Sequence, residues 1–517
     1  MPFVVYLLLL VVYFLCGWGI LQLFGLRLKP AYTVTLALLL GVAVASFLPF
    51  VLQLCYIPLT TSMIFGTLVA AALLLSIPTW MRIRKEGVRS LRADLIPGRF
   101  QIQPYEIPFF MIIGFLVFVS VWRCYYLPPT SRDALSGPEA IAEFAAREHT
   151  LINSFFNVDL WSTNNQFKSP FLICLQLIYK QAGFPFGQVW LSTIFVSFTI
   201  FLYHALRERV HPIIAGILML LFLMTPEMYA YTFMILYDYS NMVYMFLGLY
   251  FLFTWFSTGD KKYFYLSSLL LGIATYIRSE TLALALLFLP PILLLQWRGK
   301  WSLKQSAVYD GLFFLPAFLG YFLTAQLWIK HYLPGHYDVS SLVNSHLSDL
   351  SPLFQRYSDI VTRLLASDFA IHLWGYIFYV TAVFFVLEAI FIRRFTREGR
   401  NWLYAIGILY VGLGLLGWIL PVVDLNDTTK RGMFKMLPLC ILYLANNQLL
   451  VRLSQAVSRW ELTPSFKAAS AATGKPALAT TRTVLTRTGK AVAATKTSPA
   501  TPAKGKQPAA GRRKNKK

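Results

Sequence analysis

Residues 234–246 read Met-Ile-Leu-Tyr-Asp-Tyr-Ser-Asn-Met-Val-Tyr-Met-Phe, an apolar and aromatic run holding one carboxylate, Asp238. The apolar character continues to residue 257, so 235–257 is long enough to cross about 30 Å of hydrocarbon as a helix. A carboxylate in the middle of such a helix costs roughly 2.5–3.5 kcal/mol on insertion scales, and it is kept where it faces a polar cavity. This stretch therefore makes the chain a membrane protein and marks Asp238 as a functional candidate.

Apolar stretches of the same kind recur at 3–24, 33–55, 62–80, 107–124, 187–206, 212–230, 263–277, 281–297, 309–329, 369–391, 402–421 and 433–450. Together they predict an all-α integral membrane protein with about 13 transmembrane helices. Composition agrees: 57% of the 517 residues are hydrophobic, 16% aromatic and 13% charged, with mean hydropathy +0.58. Soluble domains carry charge on about a quarter of their residues, so a water-soluble fold is excluded. No Lys or Arg precedes the first apolar run, which disfavours a cleaved secretory leader. The five cysteines stand singly with no CxxC pair, and imply neither a disulfide framework nor a thiolate metal site.

The net charge of +23 is unevenly distributed. Alternate threading puts on one side Arg27 and Lys29, the basic connection 81–106, Arg207 and Arg209, Lys261 and Lys262, the connection 298–308, the connection 392–401 and the tail from residue 451. By the positive-inside rule that side is cytoplasmic, which sets the N-terminus outside and the C-terminus inside. Fourteen of the 23 acids gather on the other side or in helices approaching it, among them Asp133, Glu139, Glu227, Asp238, Glu280 and Asp338. Two outer segments are too long for turns, 125–186 and 330–368. In the first, Ser136-Gly137-Pro138-Glu139 has capping-box spacing, and Ala140, Ile141, Phe144 and Ala145 form one face of an interfacial helix on which Glu143 pairs with Arg147. Trp161, Asn164, Asn165, Gln166 and Lys168 follow, a polar and aromatic mixture suited to a hydroxylated ligand.

Several patterns then occur in one order. Asp133 follows a span; Phe167-Lys168-Ser169-Pro170 comes next, then Gly183-Phe184-Pro185-Phe186-Gly187, Pro226 with Asp238 twelve residues on, Ile277-Arg278-Ser279-Glu280, and finally Lys430-Arg431-Gly432-Met433-Phe434-Lys435-Met436-Leu437-Pro438. Over residues 107–450 this order resembles the membrane-embedded GT-C glycosyltransferases, in particular the family of protein O-mannosyltransferases and bacterial aminoarabinose transferases. That family has an acid in the first large external loop, a Lys-Pro-Pro motif, an Asp after a Pro-containing helix end and a late Arg-Tyr-x-x-Pro-like motif. Here Ala134 follows Asp133 where the family often has Glu, and Phe167 precedes Lys168 where the aminoarabinose enzymes have an acid. A divalent metal ion is the one cofactor left open.

The resemblance implies transfer of a sugar from a polyprenyl-phosphate donor to a glycan, lipid or protein acceptor at the extracytoplasmic face, in a bacterial inner membrane. Such a reaction needs a carboxylate as general base for the acceptor hydroxyl, and cations where charge develops on the departing phosphate. Asp133, immediately beyond a span, is the expected base and Asp238 the second carboxylate. Lys168, Arg278, Lys430 and Arg431 are expected at the donor phosphate; Glu139, Glu280, Asn165 and Trp161 are expected to bind substrate. Ion pairs of Arg278 with Asp238 or Glu280 are the plain alternative for those residues. His331, His336 and His346 with Asp338 form no established ligand motif.

In this reading residues 1–106 are three accessory transmembrane helices with a basic loop, 107–450 the catalytic module, and 451–517 a disordered basic cytoplasmic tail. The tail has no aromatic residue after Phe466. That argues against specific nucleic-acid binding and for attraction to anionic lipid. A lipid-linked glycan polymerase or ligase and a multi-pass secondary transporter are the competing functions; no internal repeat supports the transporter.

Overall fold

Proline at the first helical position opens many of the helices, because its missing N–H is one the helix would leave unsatisfied in any case. In the computed structural model, which describes residues 2–87, 95, 102–157, 167–333, 349–420 and 425–461, no strand occurs among the described residues. Three long helices come first: α1 (Pro2–Leu23), α2 (Pro30–Leu54) and α3 (Thr61–Glu86). After α4 (Ile107–Tyr126) come two short helices, α5 (Arg132–Leu135) and α6 (Pro138–Glu148). The central part comprises α7 (Pro170–Gln181), α8 (Trp190–Arg207), α9 (Pro212–Leu223), α10 (Pro226–Tyr231), α11 (Tyr237–Thr258) and α12 (Lys261–Ile277). Next are α13 (Thr281–Leu286), α14 (Leu289–Arg298) and α15 (Leu303–Tyr321), the last continued by a wider π-helical stretch, Phe322–Tyr332. The remainder is α16 (Ser351–Asp359), α17 (Asp368–Trp374), α18 (Ile377–Leu387), α19 (Arg397–Ile419), α20 (Lys430–Phe434), α21 (Leu437–Asn446) and α22 (Gln448–Glu461).

Among the described residues eight helical segments are long and apolar enough to cross a membrane, or ten if two bent pairs, Asp368–Trp374 with Ile377–Ile392 and Lys430–Asn446 with Gln448–Glu461, each count as one span. Three expected spans are not among them. The stretch 212–230 is broken before Pro226 into α9 and α10, and α12 has 17 residues. The helix α11 is long enough at 22 residues, but Asp238, Ser240, Asn241 and its tyrosines lower its apolar character.

Helix α11 is instead the centre of the molecule: every residue from Tyr237 to Phe253 is buried. Apolar and aromatic side chains occupy every face of this helix beyond its polar first turn, which fits a surrounded position. Helix α12 packs along it, with Ser267 Oγ donating to Gly248 O at 2.7 Å, and α15 packs on α12 so closely that a Cβ on Gly272 would meet Pro316 Cβ at 2.5 Å. The first three helices belong to the same compact unit, which runs to Trp460. Helix α2 lies against α7 and α8, and Tyr244 OH of α11 donates to Leu39 O at 2.6 Å. A Cβ on Gly41 of α2 would lie 1.9 Å from Tyr13 O of α1, so these two backbones touch through small residues, the usual means of close helix approach in lipid.

The basic connections share one end. Arg27 pairs with Glu86 at 2.9 Å, Lys29 with Glu208 at 2.6 Å and Arg209 with Glu398 at 3.5 Å; Lys262 Nζ donates to Gly25 O at 3.0 Å, and Lys261 Nζ bonds Tyr309 OH at 2.5 Å. Two local expectations change. Ser136 does not cap α6: its Oγ donates back to Arg132 O at 2.8 Å at the end of α5, and Gly137 takes the cap position. Residues 451–461, counted by composition with the tail, are helical as part of α22. Trp161, Asn164, Asn165, Gln166, His336, Asp338, His346 and the tail from 462 lie outside the described residues.

Candidate functional site

Five separate segments bring charged side chains to the end opposite the basic connections, the last being α20 with Arg431. Asp133 sits on α5, whose first turn is capped by Ser131 Oγ accepting from Ala134 N at 3.3 Å. Lys168 and Ser169 immediately precede α7. Ser169 Oγ accepts from Phe171 N at 3.1 Å and donates to Tyr276 O at 2.6 Å. Tyr237 OH donates to Ser169 O at 2.7 Å, and Trp328 Nε1 to Lys168 O at 2.9 Å. The segment 167–169 is thereby tied to the start of α11, the end of α12 and the π-helical stretch. Asp238 lies in the first turn of α11, Glu280 immediately before α13 and Arg278 at the C-terminal end of α12. Carboxylates thus stand at helix N-termini and a guanidinium at a C-terminus, the arrangement helix dipoles favour. Asn241 Nδ2 holds the α12–α13 turn together, donating to Ala274 O at 2.7 Å and to Thr281 Oγ1 at 2.9 Å.

These elements enclose a cavity of about 340 Å³ lined by Asp133, Lys168, Asp238, Arg278, Glu280 and Arg431, with Phe167, Ile235, Leu236, Tyr237, Ile277, Thr324 and Ile329 as its less polar wall. Arg431 Nη1 donates to Asp133 Oδ2 at 2.5 Å, and Lys168 Nζ stands 3.5 Å from the same oxygen. Lys168 Nζ also lies 5.8 Å from the centre of the Tyr237 ring. Arg278 bridges two carboxylates, bonding Asp238 Oδ1 through Nη1 and Glu280 Oε1 through Nε at 2.5 Å. Both ion pairs considered from the sequence are therefore present at once.

Lys435, which sequence reasoning quoted in a motif but gave no role, is 3.5 Å from Glu280 Oε1 and only 4% exposed. Its signal was available: Lys435 follows Arg431 by four residues, one helical turn along the same face. Lys435, Glu280, Arg278 and Asp238 form a chain of alternating charge that joins the α20–α21 segment to the α11–α13 region. In the network as a whole four cations, Lys168, Arg278, Arg431 and Lys435, meet three carboxylates, Asp133, Asp238 and Glu280.

Burial pushes the Lys168 ammonium below its ordinary range; Asp133 opposes the shift, while Arg278 and Arg431 reinforce it. Burial alone would raise the Glu280 carboxyl, but Arg278 and Lys435 outweigh it and hold the group at about 2. The cavity therefore combines the ionised Glu280 carboxylate with cations able to bind a phosphate through charge-assisted hydrogen bonds.

Two other candidates lie apart from the cavity lining. Lys430 Nζ pairs with Glu227 at 3.1 Å. Glu139 is held by Lys180 Nζ at 2.6 Å and Gln176 Nε2 at 2.5 Å, on the face where α6 packs against α7. Trp161 and Asn165 lie outside the described residues. No group of three or more His, Cys, Asp or Glu side chains converges to hold a metal ion among the described residues. No family profile, curated protein or solved structure matches the chain.

Proposed function

We propose that the protein is a membrane glycosyltransferase that moves a sugar from a polyprenyl-phosphate donor to an acceptor at the extracytoplasmic face. The observation that carries this reading is the convergence of Asp133, Lys168, Asp238, Arg278, Glu280 and Arg431 on one cavity at the end away from the basic connections. In this reading the fold is GT-C-like. It has thirteen crossings, with α9–α10, α11 and α12 added to the ten apolar candidates, and the basic end lies in the cytoplasm of a bacterium.

Asp133 is the base, and its resting contacts suggest how it is released. Arg431 and Lys168 hold the carboxylate while no phosphate competes for them. The donor phosphate draws both cations onto its own oxygens, which leaves Asp133 able to accept a proton. The acceptor oxygen attacks the anomeric carbon from the face opposite the phosphate, its proton passes to Asp133, and the bond between the anomeric carbon and the phosphate oxygen breaks. The polyprenyl phosphate leaves with the bonding pair, its added charge met by Arg431, Lys168 and Arg278. Asp238 keeps Arg278 in place and is the second carboxylate near the sugar hydroxyls.

Radiolabelled lipid-linked sugars incubated with the purified protein test the proposal. Label leaving the lipid with release of polyprenyl phosphate is the expected result. Intact donor lipid together with uptake of a solute by sealed proteoliposomes would replace the transferase with a transporter.

A further inference from the structure

Helix α22 (Gln448–Glu461) turns away from the preceding segment Lys430–Asn446 by 54° and buries only Leu450 and Ser454. Leu453 and Trp460 are 52% and 63% exposed, and with Ala456 they fall at spacings of three and four on one stripe. Arg452 and Arg459, also exposed, are two turns apart along its edge.

The helix is pinned at its start. Glu388, 1% exposed, accepts from Gln448 N at 3.0 Å, from Asn447 Nδ2 at 2.7 Å and from Tyr443 OH at 2.9 Å. A carboxylate on α22's first amide both fixes the bend and complements the helix dipole. His211 N donates to Ser454 Oγ at 2.7 Å on the opposite face. Gln448 Nε2 donates to Arg394 O at 2.6 Å, which brings the exposed Arg393, Arg394 and Arg397 beside the start of the helix.

We propose that this face of α22, with Arg452, Arg459, Arg393, Arg394 and Arg397, binds the phosphate headgroups of anionic phospholipid in the adjoining leaflet. Three features point to that occupant. A helix of 14 residues with two buried side chains is marginal in water and needs a surface to lie on. Its exposed stripe is apolar with positive charge along one edge, the pattern of a helix lying in a bilayer interface. All five basic positions are arginine, whereas the tail beyond is mostly lysine, and the guanidinium fork pairs with phosphate through two parallel bonds where an ammonium acts as a point charge. The site lies at the basic end, so it stands or falls separately from the transferase reading.

The test uses the full-length protein with photoreactive p-benzoylphenylalanine in place of exposed Leu453, reconstituted in a bilayer of equal phosphatidylglycerol and phosphatidylcholine. Phosphatidylglycerol adducts are expected to exceed phosphatidylcholine adducts by at least about fivefold, the effect of one basic residue at an anionic surface. The preference should fall towards parity in about 1 M salt in the same sample, where screening is nearly complete. It should also fall in the R452Q/R459Q variant. Equal adducts with both lipids, adducts with protein alone, or a preference unchanged by both salt and R452Q/R459Q would overturn the proposal.

Discussion

Replacing Arg278 by methionine removes the guanidinium that joins Asp238 to Glu280, and the two carboxylates are affected unequally. Glu280 keeps Lys435 at 3.5 Å and is about 29% exposed, whereas the Asp238 side chain is 1% exposed and loses the cation that offsets its burial. Breaking a buried pair from one side costs about 3–5 kcal/mol, mostly because a charge is left unpaired. Asp238→Asn alone should cost less, about 1–3 kcal/mol, since Arg278 keeps Glu280 and the amide oxygen still accepts a hydrogen bond. The double variant R278M/D238N has no unpaired buried charge at this point. It should therefore be more stable than the sum of the single effects by about 2 kcal/mol, within the range of coupling measured for contacting groups. Equilibrium unfolding in mixed micelles titrated with sodium dodecyl sulfate, followed by tryptophan fluorescence, measures all three. If R278M lies within about 1 kcal/mol of wild type, or the double variant is simply additive, the pair does not hold the α11–α13 region together and the reasoning is refuted.

Other consequences are open to direct measurement. With its folded pKa at about 2 against an ordinary 4.5, Glu280 contributes stability that is complete above 4.5 and is lost as pH falls towards 2. Thermal unfolding of E280Q should accordingly vary less than wild type over that acid window; equal slopes would contradict the pairing. The depressed Lys168 ammonium places the alkaline limit of donor binding below the ordinary lysine value of 10.5, and K168R should move that limit upward in a pH profile of donor affinity. Gly41→Ala puts a Cβ where it would lie 1.9 Å from Tyr13 O, so it should destabilise the protein by about 1–3 kcal/mol in the same micelle titration.

Most of the charged cavity was legible because charge near hydrocarbon is expensive. Asp133, Asp238, Lys168, Arg278, Glu280 and Arg431 stand against the bulk trend of their surroundings, and the chain folds so that they offset one another. What the linear sequence could not supply was pairing across long separations, such as Asp133 with Arg431, or the Ser169 contacts that fix Lys168 in place. Helix α7 was hidden for a related reason: a 12-residue apolar helix inside the long segment 125–186 is too short for a span, although Ser169-Pro170 is a recognisable start. Glu139 lies apart from the cavity, and its tertiary partners Lys180 and Gln176 could not be read from local spacing, which reports only a helix start. Ser136 failed as a cap because its hydroxyl found the carbonyl of Arg132 one turn back, a local competition that capping-box spacing does not register.

The central claim is that Asp133 takes the acceptor proton once the donor phosphate has drawn away Arg431 and Lys168. Its most direct test is sugar transfer from radiolabelled polyprenyl-phosphate donor by purified wild type and Asp133→Asn, each checked for intact folding by the micelle titration. The account predicts that Asp133→Asn still binds the donor and loses transfer by at least about 100-fold, the usual worth of a general base. Transfer at the wild-type rate by the folded Asp133→Asn protein would contradict it.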